Sequence, residues 1–110
     1  MICCLLAGCG QENSRGKEPL FEKMDSTGIA FQNTVVDQEQ ENSFLFRNFY
    51  NGGGVAIGDI NNDQLPDILL TSNMGENKLF LNKGNFKFAD ITATSGMRQD
   101  SIWSTGATFP

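Results

Sequence analysis

Between Gly58 and Asp67 the chain reads Asp59-Ile60-Asn61-Asn62-Asp63-Gln64-Leu65-Pro66-Asp67, which sets side-chain oxygens at relative positions 1, 3, 5 and 9. A curled backbone with this spacing aims Asp59, Asn61 and Asp63 at one centre, with the Leu65 carbonyl and Asp67 closing the far side. Two carboxylates about 5 Å apart repel by roughly 3 kcal/mol at an effective dielectric of about 20, and this loop contains three such pairs. A divalent cation reverses that sign. Hard oxygen donors without His or a nearby Cys favour calcium first and magnesium second over zinc or copper. The competing reading is that these Asn and Asp residues serve as turn formers whose oxygens bond their own backbone.

The flanks narrow the fold. Val55-Ala56-Ile57 and Ile68-Leu69-Leu70 are apolar runs too short for the helices of an EF-hand, and the EF-hand's Gly at position 6 and Glu at position 12 are replaced by Gln64 and Leu70. Two strands joined by a metal loop, a β-hairpin, are expected instead. Pro66 is tolerated at the end of such a loop because no ladder hydrogen bond is needed there.

Gly52-Gly53-Gly54, the loop from Asp59 to Asp67, the strand after it, and Asn77-Lys78-Leu79-Phe80-Leu81-Asn82-Lys83-Gly84 leading to Phe86, Phe88 and Asp90-Ile91-Thr92 together carry a family resemblance. Residues 52–92 resemble an FG-GAP or VCBS-type repeat, the blade unit of integrin-like β-propellers, and are similar especially to secreted bacterial proteins with an ASPIC/UnbV-type tail. The resemblance implies that Asp59, Asn61, Asp63 and Asp67 hold calcium through their side chains and Leu65 through its carbonyl. The family usually has Gly where this chain has Gln64; a left-handed backbone there costs a non-Gly residue roughly 1 kcal/mol.

Downstream, Lys78 to Asn82 alternates around Leu79 and Leu81, residues 82–85 read as a turn, and Phe86 to Ile91 reads as a returning strand. Trp103 to Phe109 repeats the glycine-to-strand pattern of Gly54 to Ile57, a period of roughly fifty residues. The expected fold is all-β: an antiparallel meander with a calcium-loop hairpin, forming a partial β-propeller of about one blade plus the start of the next. Residues 20–110 are then the N-terminal part of a longer propeller, since repeat folds generally need about three units to bury a stable core. Phe44, Phe46, Phe49, Phe80, Phe86 and Phe88 are expected to pack between blades, with Trp103 either sealing the blade junction or standing at a rim.

The N-terminus reads differently. Leu5-Leu6-Ala7-Gly8-Cys9 matches a bacterial lipobox, so residues 1–9 are expected to be a truncated lipoprotein signal, Cys9 the lipidated residue, and residues 10–19 a flexible polar tether. Each buried methylene of an acyl anchor contributes about 0.8 kcal/mol, and membrane association rests on that lipid alone. Cys3, Cys4 and Cys9 all lie in this segment, which leaves no disulfide framework for the domain.

Composition excludes several functions. A net charge of -5 with scattered basic residues argues against a nucleic-acid binder. With no His and no nucleophile motif, catalysis is not expected in this chain. The acidic run Asp37-Gln38-Glu39-Gln40-Glu41 reads as a solvated loop. The expected function is a calcium-stabilised, non-catalytic propeller module of an exported bacterial lipoprotein, at the outer membrane or cell surface, binding a protein or glycan. The alternative is a propeller that supports an exported carbohydrate-active or other enzyme whose catalytic residues lie elsewhere.

Overall fold

The computed structural model describes residues 19–97 and 103–109. The expected signal segment, Cys9 and all of the expected tether except Pro19 lie outside the described residues. The four strands are β1 (Val55–Gly58), β2 (Asp67–Leu70), β3 (Lys78–Asn82) and β4 (Phe88–Asp90), followed by a 3-10 turn at Thr92–Thr94. They form one sheet in the order β1-β2-β3-β4, and every pair is antiparallel. This is the expected all-β meander, consistent with a partial propeller blade, and no α-helix occurs among the described residues.

Side-chain alternation fixes the register. Ala56, Leu69 and Leu79 lie opposite one another on one face, while Ile57, Ile68 and Phe80 form a row on the other. Ala56, Leu79, Phe80 and the upstream Phe49 are the buried apolar core, whereas Val55 and Ile57 at the β1 edge are 60% and 65% exposed. The small core leaves apolar strand surface open, as a unit that stacks beside others requires.

Glycine permits the close approach at the start of β1. Thr71 N–H donates to the Gly54 carbonyl (2.9 Å) and Gly54 N–H donates to Thr71 Oγ1 (2.6 Å), extending the β1–β2 ladder past its formal end. The segment of residues 103–109 runs along the other side of β1: a Cβ added at Gly54 would come within 2.7 Å of Ala107 N, and one at Gly58 within 2.9 Å of the Phe109 ring. The second glycine-to-strand segment therefore lies beside the first, though it is not hydrogen-bonded into the sheet as a strand.

Two expectations need correction. The returning strand begins at Phe88 rather than Phe86, because Asn85 and Phe86 take left-handed backbone with φ of 50° and 55° and complete the turn instead. The aromatic residues do not all pack in strands. Phe44 is 97% and Phe86 66% exposed, and Phe44 and Phe49 lie in turns on either side of Phe46. The first of those turns is set by Asn42, whose Oδ1 accepts from Phe44 N–H and Leu45 N–H while its Nδ2 donates to the Gln38 and Glu39 carbonyls. An Asx residue that captures four local backbone groups outcompetes a β-ladder.

Candidate functional site

The loop from Asp59 to Asp67 joins β1 to β2, so a hairpin holds it at both ends. Asp59, Asn61 and Asp63 are solvent-exposed and Leu65 half-buried, whereas Asp67 is fully buried as the first residue of β2. Asp59 Oδ1 accepts from Asp63 N–H (3.1 Å) and Oδ2 from Gln64 N–H (2.8 Å). Asn61 Oδ1 also accepts from Asp63 N–H, and its Nδ2 donates to Asp63 Oδ2 (2.8 Å). Asp63 Oδ1 accepts from Leu65 N–H (2.9 Å).

Asp67 works at longer range. Its Oδ2 accepts from Ile60 N–H (3.0 Å) and its Oδ1 from Asn82 N–H on β3 (2.7 Å), while Asn82 Nδ2 donates to the Pro66 carbonyl (2.9 Å). One buried carboxylate thus ties the acidic loop to the third strand. Asn62 and Gln64 take left-handed backbone with φ of 60° and 68°, so Gln64 occupies the conformation that favours the family's Gly.

As the side chains stand, no three His, Cys, Asp or Glu groups are gathered for a metal among the described residues. The loop oxygens face their own amides. The donor set nonetheless suits a hard cation, because each carboxylate has about four lone-pair sites and only one or two are taken by N–H groups. None of the ion pairs among the described residues includes Asp59, Asp63 or Asp67; they join Lys23 to Asp25 and Lys78 to Glu76 and Asp90. The loop's negative charge has no ionic counterpart in the described fold.

At the far end of β2 the polar groups differ in kind. Thr71, Ser72 and Asn73 are buried and uncharged. Asn33 Oδ1 accepts from Ser72 Oγ and Asn73 N–H (both 3.0 Å), Asn33 Nδ2 donates to Asn73 Oδ1 (2.7 Å), and Asn73 Nδ2 donates to the Gly52 and Ser104 carbonyls. Ser72 N–H donates to Asn77 Oδ1 (2.9 Å). These residues escape sequence reasoning because Asn33 and Asn73 are 40 positions apart; the one local signal is the Thr-Ser-Asn run after an apolar strand.

A second missed bond closes β3 against the 3-10 turn. Buried Thr92 accepts from Leu79 N–H through Oγ1 (3.0 Å) and donates to Asp90 Oδ1 (2.5 Å). Hydrogen bonds from the Thr92 hydroxyl and backbone, with help from Lys78, hold the Asp90 carboxyl below its usual range; Glu76 and Asp90 raise Lys78.

Trp103 completes the upstream surface. Its ring lies 5.1 Å from Phe49 in a tilted stack and 6.1 Å from Phe46 edge-on. Trp103 Nε1 is the buried side-chain polar atom without a hydrogen-bond partner among the described residues, an arrangement that costs about 1–3 kcal/mol where nothing bonds it. The acidic run 37–41 is exposed, as expected of a solvated loop.

A four-stranded antiparallel meander whose first hairpin carries an acidic oxygen-rich loop is a β-propeller-type repeat unit. Residues 59–109 match the family of FG-GAP-like repeats, and this segment belongs to that family. The match begins at the first acidic residue of the loop and extends through the segment beside β1. The chain is also similar to cartilage acidic protein 1 of Xenopus tropicalis, at 33% identity over 92 residues that cover 83% of this chain and 14% of the relative. No solved structure matches the chain.

Proposed function

We propose that this chain is a non-catalytic, calcium-stabilised β-propeller module of an exported bacterial lipoprotein that binds a protein or glycan at the cell surface. The observation that carries the calcium reading is the loop itself: three carboxylates within nine residues, supported by backbone N–H groups and lacking an ionic partner in the described fold. Asp59, Asn61, Asp63 and Asp67 would hold the ion through side-chain oxygens, and Leu65 through its carbonyl. The ion would supply charge neutralisation and a cross-link between the two ends of the hairpin. An external compartment favours this, because loops of extracellular modules bind with Kd values of about 0.1–1 mM and stay empty at cytosolic calcium levels.

The binding reading is supported by the matched family, whose repeats serve as structural and binding modules and often occur in extracellular or surface proteins. Cys9 is the proposed attachment point for lipid. The deciding experiment is a calcium titration of the full chain followed by thermal melting. Wild type should melt higher with calcium and lose the gain in chelator; Asp63→Ala should melt alike in both. A wild-type midpoint that ignores calcium sinks the structural-ion reading. Product release from glycans without stable binding would move the protein to an enzyme-supporting role.

A further inference from the structure

The Leu65 carbonyl and the Asp67 carboxylate reach the loop from one short stretch, Leu65-Pro66-Asp67, and that stretch is held from β3 by Asn82, the last residue of the strand. Asn82 N–H donates to Asp67 Oδ1 (2.7 Å) and Asn82 Nδ2 donates to the Pro66 carbonyl (2.9 Å). Its Oδ1 accepts from Gly84 N–H (2.8 Å), which fixes the side-chain amide from the other end. We propose that Asn82 is a positioning residue of the calcium loop: it donates nothing to the ion, but sets how the Leu65 carbonyl and the Asp67 carboxylate are presented. The assignment rests on the calcium reading above and deepens it.

The backbone leaves little else to fix. The Pro66 ring holds φ at about −65°, so the relation between the peptide planes on either side of Pro66 is left to one rotation, its ψ. A hydrogen bond to the Pro66 carbonyl fixes that rotation against β3. Asp67 is fully buried, with Oδ2 held by Ile60 N–H (3.0 Å) and Oδ1 by Asn82 N–H. The lone pairs left on both oxygens keep the direction that these two amides impose. Asp59, Asn61 and Asp63 have no such outside support: they are exposed, and their described side-chain bonds stay within the loop.

The chemistry of position 82 calls for an amide. Gly84 N–H needs an acceptor and the Pro66 carbonyl needs a donor, and the two ends of one Asn side chain supply both in a single orientation. An ionised Asp would have no donor for the Pro66 carbonyl. A Ser hydroxyl can accept from Gly84 N–H in the same kind of turn, but is one bond too short to keep the Pro66 carbonyl as well. Outer residues that orient a metal's ligands typically change its affinity by about 10–100-fold when replaced. The physical reason is that ligands no longer held in place must be ordered at the moment of binding.

The test is calcium calorimetry on the full chain, paired with urea unfolding in chelator so that affinity is read against stability. Asn82→Ala, which deletes both side-chain bonds, and Asn82→Ser, which can retain the Gly84 turn, should each weaken calcium binding about tenfold. Thr92→Val is the control. It removes a buried hydrogen bond to β3 away from the loop, and should leave the calcium Kd within about twofold of wild type. An unchanged Kd in both Asn82 variants overturns the assignment and leaves the calcium loop standing. Binding lost in Asn82→Ala but restored in Asn82→Ser also overturns it, because the turn and not the Pro66 bond is then responsible. An equal loss in Thr92→Val does the same, since affinity then only follows stability. A wild type that takes up no calcium removes the calcium reading and the assignment with it, a result told apart from the others by the wild-type titration.

Discussion

The two ends of β2 make opposite use of polar residues. At Asp67 the strand emerges from a loop that is charged and exposed, and whose carboxylates accept backbone N–H groups and the Asn61 side-chain amide. At Leu70 it runs into Thr71, Ser72 and Asn73, which are buried, uncharged and saturated by side chains and carbonyls from three distant segments. The amide cluster is complete as it stands, since each donor has found an acceptor. The acidic loop is complete in backbone bonds but not in charge. One end can therefore hold the fold unaided, while the other is placed to respond to its surroundings.

The largest effect should come from the saturated end. Asn73→Leu strands the Asn33 amide and the Gly52 and Ser104 carbonyls inside the protein, and should cost about 3–4 kcal/mol by thermal or urea unfolding. Added calcium should not restore it. If calcium repairs this variant, the two ends are not independent and the contrast fails.

Next comes the loop. At a hundredfold excess over Kd, calcium should stabilise wild type by about 2–3 kcal/mol, and Asp63→Ala should abolish that response while leaving the chelator-treated midpoint nearly unchanged. A smaller loss, about 1–2 kcal/mol, is expected for Thr92→Val, which orphans the Leu79 N–H. Calorimetry with and without calcium should return the same value for it, because Thr92 belongs with the uncharged interior.

Acid gives the smallest effect. Asp90 has a folded pKa below its unfolded one, so its contribution is fully present above the unfolded value and is lost as pH falls through the folded one, below about pH 4. Thr92→Val should flatten that part of the stability profile. An unchanged slope would show that Lys78, not Thr92, dominates the shift.

Local chemistry in the sequence foretold the hairpin and much of the meander. Short apolar runs at Val55–Ile57 and Ile68–Leu70 and alternation around Leu79 and Leu81 declared the strands, oxygen spacing declared the loop, and the family resemblance implied the left-handed backbone at Gln64. What escaped depends on distance along the chain or on competition within it. Asn42 overrode the alternating aromatics, and Asn85 with Phe86 spent two strand-like positions on a turn. The amide cluster and the Phe49–Trp103 stack join residues 21 to 54 positions apart, beyond any local pattern.

One contact at the opposite margin of the sheet bears on behaviour in crowded solution. Thr27 accepts from Phe88 N–H (2.8 Å), and Ser26 accepts from the Lys87 ammonium, so the chain's own upstream strap lies over β4. An uncovered margin is a template for foreign strands and amyloid growth. By occupying that position itself, the polypeptide shields this flank from pairing with a foreign strand.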